Sequence, residues 1–296
     1  LRYEEVPIPE PAAGQVRVRV HATSVNPIDW KLRAGYLRGF RDYPLPFIPG
    51  WDFSGIVEAA GAGVTRWKPG DAVYGHPPLD ASGTYAEYIC VSQEICAPKP
   101  ASIDHVHAAA VPLAALTAWQ ALFEHAGLRA GQSVLIHAGA GGVGSFAIQL
   151  AAQAGIRVAA TASGRNQEFL RQLGAAQPIN YETERFEEVV QGVDAVLETM
   201  GGEIRERSWK TLKPGGILVA IIGPPPAPET AAAYGVRQTL MWVHPDGAQL
   251  AEIAKLIDAG KVRPVVEHVL PLAEAARAHQ LSATLHTRGK IVLTCI

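Results

Sequence analysis

Apolar and polar positions alternate near the start of the chain: Val16, Val18 and Val20 interleave with Arg17, Arg19 and His21. A period of two marks a strand with one buried face. Further short strands are predicted over 54–59, 72–74 and 85–91. Turn residues separate them at Gly61-Ala62-Gly63, Pro69-Gly70-Asp71 and Ser82-Gly83. Closely spaced short strands predict a small β-rich domain. From Pro112 onward the period changes. An apolar run at 134–137 leads through glycines into an apolar helix over 144–154, followed by a strand at 157–161 and a helix at 167–173. Apolar runs at 194–197 and 217–222 predict two more strands, with helical patterning over 204–212 between them. Residues 248–259 place Leu250, Ile253, Ala254 and Ile257 on one stripe of a helix. Strands alternating with helices predict a doubly wound parallel sheet. After Lys261 the pattern reads strand (265–269), helix (274–281), strand (291–293), which would complete the first domain. The expected division is therefore 1–112 plus 263–296 for the β-rich domain and 113–262 for an inserted α/β domain.

Composition narrows the function classes. The 296 residues suit two domains at roughly 150 residues each. Lys+Arg is 26 against Asp+Glu 28, a net charge of −2, so the basic footprint of a nucleic-acid binder is missing. The most apolar run, 106–123, contains Pro112 and does not read as a membrane span. The three cysteines, Cys90, Cys96 and Cys295, form no CxxC, which predicts a reducing, cytoplasmic setting. No secretory leader is expected, and because the chain opens without Met, an N-terminal segment of up to a whole strand is expected to be missing. Pro224-Pro225-Pro226-Ala227-Pro228 reads as a stiff surface loop.

The segment 138–144 reads Ala-Gly-Ala-Gly-Gly-Val-Gly and contains G-x-G-x-x-G as Gly139, Gly141 and Gly144. It follows a predicted strand and opens a predicted helix, the context that a dinucleotide-binding turn requires. Glycines let the backbone approach a pyrophosphate, and the helix start, with Gly142 and Val143, supplies N–H donors. An NAD site places an acid about 20 residues further on, against the ribose hydroxyl. Here that stretch reads Ala159-Ala160-Thr161-Ala162-Ser163-Gly164-Arg165. Ser163 and Arg165 instead suit a 2′-phosphate, so the expected cofactor is NADPH.

The chain resembles the zinc-independent quinone-oxidoreductase branch of the medium-chain dehydrogenase/reductases. The resemblance rests on several blocks in order: 24–31 (SVNPIDWK), 48–55 (IPGWDFSG), 69–75 (PGDAVYG), 116–119 (LTAW), the glycine loop, and 288–292 (RGKIV). It implies a GroES-like β-rich catalytic domain interrupted by a Rossmann domain. Zinc-dependent relatives carry ligands where Asn26, Trp51 and Leu113 stand, so no metal is expected. The implied reaction moves a hydride from NADPH to a quinone or an α,β-unsaturated carbonyl. Asn26, Lys31 and Tyr36 become the catalytic candidates, as amide donor to the carbonyl and as possible proton donors. Thr117, Tyr181, Thr199, Ile222 and Lys290 join Gly139, Gly141, Gly142, Val143, Gly144, Ser163 and Arg165 as cofactor candidates. The resemblance also implies a homodimer. Rival readings are an enone or enoyl-thioester reductase of the same fold, and a non-catalytic NADPH-binding protein.

Overall fold

A computed structural model describes residues 1–36, 38, 43 and 45–295. The chain separates into two compact units, Leu1–Leu116 with His244–Ile296, and Thr117–Val243. Among the described residues thirteen strands form two sheets, and no helix is long and apolar enough to cross a membrane.

The first unit begins with β1 (Gln15–Val25), β2 (Phe53–Ala60), β3 (Ala72–Gly75), β4 (Tyr88–Ser92) and β5 (Cys96–Pro98). The alternation seen in the sequence is real burial. Val16, Val18 and Val20 are fully buried and pack with Phe53, Val57, Val73, Ile89 and Val91. The strand expected at 85–91 starts later, at Tyr88, because Thr84 and Tyr85 donate their N–H groups to Gly50 O and Pro49 O instead of to a strand partner. Pro112 sits at the start of the helix Pro112–Trp119, after the separate helix His105–Ala109. A proline tolerated in a first turn thus divides the apolar run.

The second unit holds β6 (Ser133–Ile136), β7 (Arg157–Ala162), β8 (Gln177–Asn180), β9 (Val193–Glu198), β10 (Leu212–Ala220) and β11 (Arg237–Leu240). Their order across the sheet is β11-β10-β9-β6-β7-β8, with every pairing parallel. Read from β8, this is the strand order of a dinucleotide-binding fold. The direction of winding reverses between β6 and β9, and ligands of such sheets bind beyond the carboxyl ends of strands at that point.

The chain then returns to the first sheet with β12 (Val266–Pro271) and β13 (Lys290–Thr294). β13 pairs antiparallel with β1, so the C-terminus completes the sheet begun at residue 15. The return comes earlier than the expected residue 263. The helix Gly247–Asp258 packs on the first unit, with Gly247 so close that a Cβ would stand 2.4 Å from Glu94 O. Tyr74 donates its hydroxyl to Leu250 O at 2.6 Å. An amphipathic stripe says that a helix packs, not on which sheet it packs.

Candidate functional site

In the first unit the chemistry collects around a buried carboxylate. Asp52, fully buried at the start of β2, lies between Trp51 and Phe53. Its Oδ2 accepts from Ser24 Oγ at 2.6 Å, Asn26 Nδ2 at 2.6 Å and Lys290 Nζ at 3.3 Å. Its Oδ1 accepts from the Leu113 N–H at 2.6 Å. Lys290 Nζ also donates to Asn26 Oδ1. Asn26 is thus held at both ends of its amide, the oxygen on a cation and the nitrogen on an anion. An ammonium only donates and a carboxylate only accepts, so this charge pattern leaves one possible orientation of the amide. One Nδ2 proton is spent on Asp52, and among the described residues the other has no hydrogen-bond partner.

The backbone of Asn26 is fixed as well. It precedes the helix Pro27–Arg33, and its N–H donates to Asp29 Oδ2 at 2.9 Å. That oxygen also accepts from Tyr85 OH at 2.7 Å, and Tyr85 OH lies 3.2 Å from His279 Nε2. Burial lifts the Asp29 carboxyl to about 7, against the opposing pull of the Asn26 N–H and the Tyr85 hydroxyl. Asp29 therefore anchors the loop. Lys31 and Tyr36 gather on Trp30. The Lys31 ammonium is 5.6 Å from the Trp30 ring centroid, and the Tyr36 ring meets it edge-on at 5.9 Å. Burial lowers the Lys31 pKa, whereas Tyr36 is 71% exposed.

Lys290 was expected among the cofactor contacts. Its ammonium instead serves Asn26 and Asp52, and the residue is only 4% exposed. Asp52 itself was missed as a hub. The available signal was an acid set among Trp51, Phe53 and the strand that follows, where an ionised group needs partners.

In the second unit the glycine loop, Ser163, Arg165, Tyr181, Thr199 and Ile222 follow the carboxyl ends of the parallel strands. The glycine loop follows β6 and opens the helix Gly142–Gln153. A Cβ on Gly144 would stand 2.3 Å from Ala138 O and 2.7 Å from Gly139 Cα. The helix therefore starts against the strand end with no room for a side chain. Ser145 N donates to Gly141 O at 2.9 Å, so the N–H groups of Gly142, Val143 and Gly144 precede the first helical bond. Donors placed in this way suit a pyrophosphate. Ala138 adopts φ 50°, and Gly139 N donates to Thr161 O at 2.8 Å.

Neighbouring strand ends complete the edge. Thr199, after β9, donates its hydroxyl to His137 O at 3.1 Å and so joins the strand ends on either side of the reversal. Ser163 and Arg165 follow β7, and Tyr181, 52% exposed, follows β8. Thr117 is buried in its helix. Ile222 follows β10, and its carbonyl is held by Arg205.

Two supports were not legible in the sequence. Glu198, fully buried, accepts from Arg205 Nε at 2.7 Å and from the N–H of Met200 and Gly201. Arg205 also reaches Pro224 O at 2.7 Å, which ties the loops after β9 and β10 together. His137 lies 3.2 Å from Thr161 Oγ1 and 2.9 Å from Ser208 Oγ. Burial, with the Arg207 charge, brings its pKa down to about 3.

The metal question rests on the donor set. Among the described residues no three His, Cys, Asp or Glu side chains converge on one point. His105, which stands near His107 in sequence, stacks on His21 and lies 2.8 Å from Ser54 Oγ, while His107 pairs with Asp104.

Family models match an alcohol dehydrogenase GroES-like domain over residues 12–101 and a zinc-binding dehydrogenase over residues 173–293. The chain is 36% identical to an NADPH-dependent alkenal/one oxidoreductase, chloroplastic, of Arabidopsis thaliana, over 97% of this chain and 73% of that protein. It is similar to the solved quinone oxidoreductase from Coxiella burnetii (38% identity, TM-score 0.88), over 98% of this chain and 93% of that one. It is also similar to mycobacterial Rv1454c complexed with NADPH (30% identity, TM-score 0.89), over 99% of this chain and 95% of that one. The GroES-like unit and the parallel sheet of dinucleotide-binding order agree with these relatives: the chain belongs to the zinc-independent medium-chain dehydrogenase/reductases of the quinone-oxidoreductase type.

Proposed function

We propose that the protein is an NADPH-dependent reductase that transfers a hydride to a quinone or an α,β-unsaturated carbonyl. The observation that carries this reading is Asn26, locked between Lys290 and Asp52 with one amide proton left to donate. When bound, NADPH supplies the hydride. The glycine loop and the first N–H groups of the helix Gly142–Gln153 would hold its pyrophosphate, and Thr199 and Ile222 border the same sheet edge. Ser163, Arg165 and Tyr181 would hold the adenosine 2′-phosphate.

The chain's own contribution is electrostatic. Negative charge develops on the acceptor oxygen as it becomes an enolate or a hydroquinone, and a fixed donor placed there lowers the barrier. The Lys290 charge on Asn26 Oδ1 polarises the amide and strengthens its N–H as a donor. Lys31, half-buried beside Trp30 with a lowered pKa, is the proposed proton source. The reading includes a homodimer in the cytoplasm; a monomer mass by light scattering would remove the first of these.

The test is stopped-flow oxidation of NADPH with 1,4-benzoquinone and with a simple enone. Turnover of at least one acceptor is expected. Removal of a single oxyanion donor costs ~10²–10³ in kcat, so Asn26→Ala should fall in that range with NADPH affinity unchanged. NADPH binding without reduction of either acceptor overturns the enzyme reading.

A further inference from the structure

The sequence shows no acid at the end of β7, where NAD sites carry the partner of the ribose 2′-hydroxyl. Folding brings one there from the next strand. Glu182, two residues beyond β8, accepts the Gly164 N–H on Oε2 at 2.7 Å. Its own N–H donates to Asn180 Oδ1 at 3.1 Å, which fixes the turn that presents it. The fit is close: a Cβ on Gly164 would stand 3.2 Å from Glu182 Oε2 and 3.1 Å from Asn180 Nδ2. The preceding residue, Tyr181, donates its N–H to Ala162 O at 3.2 Å, so the ends of β7 and β8 are joined here. Ser163 Oγ accepts from Asn166 Nδ2 at 3.1 Å. A carboxylate therefore stands among Ser163, Gly164, Arg165 and Tyr181.

We infer that Glu182 sets cofactor choice, accepting the ribose 2′-hydroxyl of NADH and opposing the 2′-phosphate of NADPH, so that the protein uses both. This rests on the reading that Ser163, Arg165 and Tyr181 hold the adenosine ribose. A 2′-hydroxyl is neutral and can donate to the carboxylate. A 2′-phosphate is an anion with only acceptors to offer. It has to displace Glu182 from Gly164 while being drawn in by Arg165. The two side chains thus act in opposite directions on one substituent, and the preference for NADPH is smaller than Arg165 alone would give.

The test measures Kd for NADPH and NADH by nicotinamide fluorescence on the intact protein, with Glu182→Gln and Arg165→Gln. Glu182→Gln keeps the shape and removes the charge on an exposed turn. For an exposed charge worth up to about 1 kcal/mol, the NADPH:NADH affinity ratio should rise by more than about twofold and up to roughly fivefold, through tighter NADPH and weaker NADH. Arg165→Gln should weaken NADPH and leave NADH unchanged. A ratio within twofold of the parent in Glu182→Gln overturns the inference. If Arg165→Gln still weakens NADPH, only the role of Glu182 has failed. If neither variant moves the ratio, the placement of the ribose has failed with it.

Discussion

Replacing Arg205 by Met removes the cation from the strut between the loops after β9 and β10. Arg205 is 5% exposed and Glu198 fully buried. Among the described residues the substitution leaves the Glu198 carboxylate with the Met200 and Gly201 N–H groups as its donors, and strips a partner from Ile222 O and Pro224 O. Breaking a buried ion pair from one side costs about 3–5 kcal/mol, mostly because the remaining charge is uncompensated. At roughly 2–4 °C per kcal/mol for units of this size, the melting temperature should fall by about 6–20 °C. The double variant Glu198→Gln/Arg205→Met carries no stranded charge and should lie within about 2 kcal/mol of the parent. Urea denaturation followed by tryptophan fluorescence reads all three proteins, and Trp209 lies buried in the same unit. An Arg205→Met variant within 1 kcal/mol of the parent would refute the reasoning, and so would a double variant no more stable than Arg205→Met. Because Ile222 and Thr199 border the proposed cofactor edge, NADPH affinity should weaken in Arg205→Met and stay weakened in the double variant, which also lacks the tie to Ile222 O and Pro224 O.

Lys290→Met should lower kcat at least about tenfold with NADPH affinity unchanged, since it removes the charge that orients Asn26. A loss of NADPH affinity at constant kcat would return Lys290 to the cofactor. Gly144→Ala forces a Cβ to 2.3 Å from Ala138 O, and overpacking of this kind costs about 1–3 kcal/mol. Fluorescence titration should show NADPH binding weakened about tenfold, and normal affinity would mean that the loop holds no pyrophosphate. Stability should fall as pH drops from 6.5 to 4. Burial brings His137 down to about 3, and His105 and His279 to about 4, each with help from nearby cations. These histidines are neutral when folded and take up protons when unfolded, so their contribution is complete above 6.5 and is lost on acidification. Asp29, raised to about 7, acts in the opposite sense: its contribution is present below the ordinary carboxylate pKa and is lost as pH rises through 7. Three protons against one leave about two, a slope of about 2–3 kcal/mol per pH unit near pH 5. Urea midpoints that stay constant between pH 6.5 and 4.5 would show that the histidines do not carry this linkage.

The sequence by itself determined what is local and periodic. Alternation at Val16, Val18 and Val20 placed the first sheet's core, because a strand's side chains change face at every residue. The glycine spacing from 139 to 144 determined the turn, because helix and strand ends meet there with no room for a Cβ. Tertiary structure alone decided which distant polar groups meet. Lys290 lies 264 positions from Asn26 and shares its amide. Glu182 lies 18 positions from Gly164 and takes its N–H. Glu198 finds Arg205, and through it the carbonyls of Ile222 and Pro224. The helix Gly247–Asp258 shows its stripe in sequence, but only packing assigns it to the first unit. The physical reason is the same in each case. Hydrophobic periodicity is written along the chain, whereas a buried charge is tolerated only beside partners that strand order brings to it, and sequence separation carries no record of that order.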